Sequence, residues 1–404
     1  MRNKSILSMS IIAAAALALS GCSASGGGGP ATGTPIPVAS ISGLTFFPEA
    51  SAAAKAVFDD FNQGGGLNGQ PIEYTVLDDK TNPADSATAA KSALSSGAVA
   101  MVGSASLLDC AVNHKTWEDN NMISIQGTGV DLFCFTTPNV AAANAGPFFD
   151  EYAALYYASE TLGFKNICAL QVTDDPVAIA TIMSVVDAWS GVTGEKLAYA
   201  DNSLQRGQTS YAANIANLQD KNCDSLFINE TGPAVAAILA DASNQGVSLP
   251  VVTLTSAYSK EFASQVSYPG DIYLPAEFSP FTDEADASND DWRKVMDAYG
   301  VPQTSFAQGG YLAAKYFIEI LKSVKGDITR DTVTAAAKEM TAPIDTKGMS
   351  GNGWIFGSGE SHQANTSVWT VAVKSGSGAW SSIGPWVTGE EMGWKNSFLQ
   401  LPAQ

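Results

Sequence analysis

Asn62-Gln63-Gly64-Gly65-Gly66-Leu67-Asn68-Gly69-Gln70-Pro71-Ile72 joins two segments of different periodicity. On its N-terminal side, Ala50, Ala53, Ala54, Val57, Phe58 and Phe61 recur at helical spacing, so they share one face of a helix that Pro48 opens. The glycines stop that helix because they lose the most backbone freedom in it and turn the chain at positive φ without strain. On the C-terminal side, residues 72–77 are an apolar run of strand length, and residues 36–41 form another ahead of the helix. A strand, a helix and a strand joined this tightly predict a βαβ unit and a parallel sheet.

The same alternation extends in both directions. Asn82-Pro83 opens a helix that runs to Gly97; strands are expected at 98–102 and 122–125, with a helix at 107–120 between them. After a hinge-like segment at 136–146, strands are expected at 167–172, 196–200, 225–228 and 251–254, and helices at 177–189, 211–220 and 233–244. Two sets of βαβ units in one chain predict two similar Rossmann-like lobes. A strand-like run at 271–278 and helices at 290–299 and 306–324 follow, and then a β-rich tail at 353–356, 367–373 and 379–383.

The 404 residues leave ample material for such a pair of lobes. Hydrophobic residues make up 45% and charged residues 15%, which disfavours long disorder and coiled coil. Against 21 Lys plus Arg stand 40 Asp plus Glu, a formal charge of −19, so nonspecific attraction to nucleic acid or anionic lipid headgroups is poor. No CxxC or Cys/His cluster suggests a metal or metal cofactor, and His114 and His362 have no ligand-spaced partner.

Residues 1–21 have the plan of a signal peptide: Arg2 and Lys4, then an apolar run at 6–19 that is too short to span a bilayer. Leu19-Ser20-Gly21-Cys22 resembles a bacterial lipobox, which implies cleavage before Cys22 and lipidation of that cysteine; a plain secretory signal with a free Cys22 thiol is the alternative. Residues 22–35, rich in Gly, Ser and Pro, then form a flexible tether. Cleavage removes two positive charges and takes the formal charge from −19 to −21. The expected location is the extracytoplasmic face of the cell membrane, held by the lipid at Cys22.

Four further cysteines allow three pairings in an oxidising compartment. Two lobes favour Cys110 with Cys134 and Cys168 with Cys223, because each pair stays within one lobe whereas the crossed pairings would staple the lobes together.

The opening stretch resembles the "N-x-x-G-G-I-N-G-x-P-I" signature of branched-chain amino acid (Leu/Ile/Val-binding) type periplasmic substrate-binding proteins of ABC transporters. Leu77-Asp78-Asp79 with Asn82-Pro83 and Ala87, Val102-Gly103-Ser104, Gly309-Gly310-Tyr311-Leu312-Ala313 and the segment 353–359 are similar to further motifs of that family, in order along residues 36 to about 385. The resemblance implies a type I periplasmic binding protein fold: two lobes joined by three crossovers, with a ligand between them. The crossovers are expected near 136–146, 271–280 and 342–348, making lobe one 36–141 plus 281–342 and lobe two 142–280 plus 343–404.

In doubly wound sheets ligands sit beyond the carboxyl ends of the strands. That rule selects the loops 42–47, 103–106, 126–128, 173–175, 229–231 and 255–258. The resemblance places emphasis on Ser104, Ala105 and Ser106, on Gln126, Gly127 and Thr128, and on Glu230 and Tyr258, while helix or turn capping competes as a role for Ser104, Ser106 and Thr128. Phe46 and Phe47 offer an apolar wall, or plain packing under the first helix; Asp175 and Glu230 offer acceptors to an ammonium or amide, with Asp175 alternatively a helix cap before Pro176. These loops carry no Lys or Arg, which disfavours phosphates, sulfates and dicarboxylates. Where many family members have Tyr-Gly after the lobe-two acids, this chain has Pro176-Val177-Ala178, so the ligand need not be a branched-chain amino acid.

The expected function is therefore that of a monomeric solute-binding lipoprotein, not an enzyme, which captures an amino acid, amide or urea-like compound and delivers it to an ABC-transporter permease. A sensor that presents its ligand to a membrane receptor is the alternative. A secreted hydrolase has little support, since Gly103-Ser104-Ala105-Ser106 is not a G-x-S-x-G elbow.

Overall fold

Asn62 shows how the glycine-rich turn works as a joint. Its side-chain amide donates to the carbonyl of Ile72 at 2.8 Å and accepts from the Ile72 amide at 2.7 Å, tying the end of α1 (Pro48–Gln63) to the start of β2 (Ile72–Asp78). Gly66 between them has φ +62°, and a Cβ there would stand 2.2 Å from the Gln70 carbonyl, so the turn closes only with glycine. The chain is described from a computed structural model, for residues 29–172, 176–205 and 207–399. The signal segment, Cys22 and Asp175 lie outside the described residues.

The first sheet contains β1 (Ile36–Ser42), β2, β3 (Met101–Ala105), β4 (Ser124–Thr128) and β5 (Val140–Ala142), in the order β2-β1-β3-β4-β5, all parallel. Between its strands run α1, α2 (Pro83–Ser95) and α3 (Asp109–Asp119), and the short α4 (Phe133–Thr136) precedes β5. Asn82 caps α2 by accepting from the amides of Ala84 and Asp85. The chain then crosses to the second lobe through α5 (Pro147–Tyr156).

The second sheet is built from β6 (Ile167–Val172), β7 (Tyr199–Leu204), β8 (Ser225–Asn229), β9 (Val251–Thr253) and β10 (Ile272–Ala276), with β11 (Ser367–Val373) and β12 (Trp380–Thr388) added antiparallel, in the order β12-β11-β10-β9-β8-β6-β7. Its helices are α6 (Pro176–Thr193), α7 (Ala212–Ala216), α8 (Gly232–Asn244) and α9 (Lys260–Gln265). After β10 the chain returns to lobe one as α10 (Asp290–Tyr299), α11 (Ser305–Ser323) and α12 (Arg330–Lys338).

Gly309 and Gly310 let α11 lie directly on lobe one. A Cβ on Gly310 would stand 1.9 Å from the Ala50 carbonyl of α1, and one on Gly309 would stand 2.1 Å from the Gly127 carbonyl of β4. The disulfides are Cys110–Cys134 and Cys168–Cys223, one in each lobe. Asp131 lies beside the first pair, but both sulfurs are spent in the bond, so this group is not a thiolate metal site.

Several expectations are corrected. The strands expected at 98–102, 122–125 and 196–200 form about three residues later, at Met101–Ala105, Ser124–Thr128 and Tyr199–Leu204. Ala98, Val99, Ala100, Met122 and Ile123 are as buried as the strands they lead into, and hydrophobicity reports burial rather than ladder pairing. Residues 353–356 make no strand, only a single bridge between Ile344 and Trp354.

The tail also joins lobe two later than residue 343. Trp354 stacks on Tyr316 of α11 with ring centres 4.4 Å apart and donates to the Ala142 carbonyl at 2.9 Å. Gly357 and His362 bond backbone groups of Ala337 and Phe135, all lobe-one contacts. Only at Asn365, which donates to the Glu277 carbonyl, does the chain turn into β11. The C-terminal residues Trp394 and Phe398 pack edge to face with each other, and Trp394 also packs on Phe149 and Tyr152 of α5.

Candidate functional site

The carboxyl ends of strands from both sheets open on one cleft, a cavity of about 260 Å³, close to the lower end of the range of about 300–1,000 Å³ usual for small-molecule pockets. Lobe one lines it with Thr45, Phe46 and Phe47 ahead of α1, Leu107 after β3, Thr128, Gly129 and Val130 at the end of β4, and Phe306 of α11. Lobe two adds Val172 and Ile182, the run 229–233 at the start of α8, and Leu254, Thr255 and Ser256. The crossing segments supply Asn144, Pro147, Phe148, Asp150 and Glu277.

The apolar wall is rigid on one side and open on the other. Phe47 is buried and meets Phe306 edge to face at 5.1 Å, whereas Phe46 is 39% exposed. The opposite wall is acidic. Glu230 accepts from the Thr231 amide at 2.6 Å through Oε2 and is almost wholly buried. Glu277 Oε1 accepts from the Gly146 amide at 2.6 Å and from Asn144 at 2.9 Å, while Asn144 also bonds both backbone groups of Gly129. Through Asn144, two crossing segments and the β4 loop of lobe one are fixed together.

Asp150 sits in the first turn of α5, fully buried; its Oδ2 accepts a long bond from the Thr255 amide at 3.3 Å, and its Oδ1 has no partner. Burial pushes the Glu277 carboxyl up to about 7 despite the bonds from Gly146 and Asn144. Burial, with the neighbouring Glu277 charge, pushes Asp150 well above the ordinary carboxylate range. Beneath the cleft, Glu151 accepts from Gln171 of β6 at 3.0 Å and from Asn229 of β8 at 2.9 Å; burial raises it too. Among the described residues that line it there is no Lys or Arg.

Of the residues expected from sequence, Phe46, Phe47, Thr128 and Glu230 line the cleft. The others do not. Ser104 accepts from the Ile41 amide at 3.0 Å, and Ala105 is buried in β3. Ser106 donates to Asp79 and caps α3, accepting from the amides of Leu108 and Asp109. Gln126 donates to Asp109 and Ser124, and Gly127 faces Gly310, whose Cα would be 3.0 Å from a Cβ at 127. Tyr258 bonds Thr282 and packs between Phe281 and Trp380.

All but Tyr258, which packs in lobe two, hold the first sheet and its loops in place; the strand-end rule finds the right loops but cannot tell which side chains point out of them. Sequence reasoning does not single out Asp150, Asn144, Glu277 or Thr255. Asp150 and Glu277 belong to crossing segments whose helix and turn carry no distinctive signal of their own. Their one visible sign is acidic residues beside otherwise apolar runs.

The model of a family described as "Periplasmic binding protein" matches residues 33–378. The chain belongs to the periplasmic binding protein family. Its structure resembles a branched-chain amino acid ABC transporter protein from Thermus thermophilus solved with bound valine, at TM-score 0.75 and 14% identity over 89% of this chain and 98% of that one. A leucine binding protein from Thermotoga maritima gives TM-score 0.71 at 14% identity, covering 88% of this chain and 99% of that one. A fatty acid ABC transporter substrate-binding protein from Thermomonospora curvata gives 0.72 at 14%, covering 91% and 96%. No curated protein matches the sequence.

At such identities the likeness speaks for the fold alone, and that fold is the type I periplasmic binding protein fold. Membership makes this periplasmic binding protein a member of an extracytoplasmic, solute-binding family. Among the described residues no helix is long and apolar enough to cross a membrane.

Proposed function

We propose that this periplasmic binding protein is a lipid-anchored receptor that captures a small amphipathic solute between its lobes and hands it to an ABC-transporter permease. The observation that carries this reading is the cleft itself: one cavity lined from both sheets and from the segments that connect them, so that a bound molecule contacts both lobes at once. Such a ligand stabilises the state in which the lobes are closed, because only there does it touch both walls. Among the described lining residues no nucleophile is paired with a base; the serine there, Ser256, donates to the Glu230 carbonyl at 2.7 Å. Binding without turnover suits it better than hydrolysis. Anchoring at Cys22 rests on the lipobox resemblance.

Solution scattering with and without ligand tests the reading. A smaller radius of gyration at saturation is expected, and an unchanged profile would sink the closing receptor. For the anchor, palmitate labelling of cells expressing the protein should mark the wild type and not Cys22→Ser; equal labelling would remove the lipid from the account.

A further inference from the structure

The charge and shape of the cleft say more about the ligand than that it is small, and the ligand class they point to rests on the receptor reading. Three features are independent of one another. First, the ionisable lining among the described residues is Asp150, Glu230 and Glu277, with no Lys or Arg there. Second, two buried polar atoms lack partners, Oδ1 of Asp150 and Oγ1 of Thr255, and both belong to lining residues. A buried acceptor left unpaired is unfavourable, so the cleft holds a place for a donor.

Third, the helix N-termini at the cleft are poorly equipped for an anion. α1, α5 and α8 each carry a proline in the first turn, Pro48, Pro147 and Pro233, which removes an N–H that an anion would use. Glu49 and Asp150 add negative charge to the first turns of α1 and α5, offsetting the positive end of each helix dipole.

We propose that the ligand is a primary amine in its ammonium form attached to an apolar alkyl or aryl body, and that recognition needs no carboxylate on the ligand. The ammonium donates to Asp150 and Glu277, whose raised carboxyls give up their protons as the cation enters, with Thr255 as a further polar contact, and the body lies against Phe46, Phe47 and Phe306. An ammonium has three donors and no acceptor, which matches a wall of acceptors. An amino acid would bring in a carboxylate that faces the same acids and finds no cationic partner among the described lining residues.

Titration calorimetry of the full chain with 2-phenylethylamine, L-phenylalanine and 3-phenylpropionate, and with 3-methylbutylamine, L-leucine and 4-methylpentanoate, tests this at neutral pH. Within each trio the body is nearly constant and only the charged groups change. The amine is expected to bind at least tenfold more tightly than the zwitterion, and the anion not measurably. Asp150→Asn should weaken amine binding about tenfold or more, with Glu277→Gln as a second variant, while circular-dichroism melting confirms that both are folded. Asp59→Asn, an exposed change on α1 away from the cleft, should leave binding unchanged.

Tighter binding of a zwitterion or anion than of its amine overturns the assignment of ligand class and leaves the receptor reading intact. So does amine binding that neither cleft variant weakens. Silence of all six compounds also overturns the amine assignment. In that case a hit from a broad solute panel, with lobe closure in scattering, preserves the receptor, and a silent panel with no closure removes both.

Discussion

The two lobes face the same cavity with opposite chemistry. Lobe one turns the polar residues at its strand ends inward: Asp79 with Ser106, Asp109 with Asn113 and Gln126, and Ser104 on the Ile41 amide. What it shows the cavity is mostly ring and aliphatic surface. Lobe two and the crossing segments instead aim Glu230, Asp150 and Glu277 at it. A polar strand end is thus not yet a binding group. Whether it becomes one depends on whether neighbouring loops offer it partners first, because a buried polar group without a partner is unfavourable and one with partners is spent.

The largest effect that sharpens this contrast is expected in the lobe-one scaffold. Gly310→Ala forces a Cβ against the Ala50 carbonyl and should lower stability by about 3 kcal/mol, the upper part of the range for overpacking, measured by urea unfolding. A change below about 0.5 kcal/mol would mean that α11 and α1 are not pressed together as described.

A matched pair then separates wall from scaffold. Asp150→Asn should weaken binding of an ammonium ligand by about 1–3 kcal/mol with little change in melting temperature. Gln126→Ala should do the reverse, destabilising by about 1–2 kcal/mol because Asp109 loses a donor, with affinity unchanged in the folded protein. Equal effects of both on affinity would erase the distinction between the lobes.

pH provides a third probe. The raised carboxyl of Glu277 holds its proton longer in the folded chain than in the unfolded one, so its stabilising contribution is complete below the unfolded value of about 4.3 and lost as pH rises through about 7. Asp150 shifts in the same direction. The ligand-free protein should therefore melt lower at about pH 8 than at about pH 5, and Glu277→Gln should narrow that gap. A gap as wide in the variant as in the wild type would take Glu277 out of the explanation. The smallest effect is expected from Phe46→Ala. This half-open ring should contribute about 1 kcal/mol or less to ligand binding and nothing measurable to stability, whereas a drop in melting temperature would show that it is core.

Much of the fold is legible from local rules. The glycine turn after α1, the Asn82-Pro83 helix start and the alternation of strand-length and helix-length apolar runs each have a local physical cause, so they can be read residue by residue. The disulfide pairs follow once two lobes are assumed. Harder to read are the strand starts at Met101, Ser124 and Tyr199, because buried approach segments have the same composition as paired strands. The course of residues 343–362 is hidden for a related reason: Trp354 finds its place on Tyr316 and Ala142, contacts far away in sequence.

The class of fold, the acidic balance and most of the loops that make the cleft are thus readable from local pattern, since they depend on neighbours within a few residues or on composition. Only the tertiary structure decided which side chains in those loops remain available. Ser106 and Gln126 are taken up by Asp79 and Asp109, which other segments bring beside them, while Asp150 is carried to the cavity on a helix between the lobes and left there with one oxygen unpaired. Hydrogen-bond partnership between distant segments is set by packing, and that is where the acidic wall of the cleft arises.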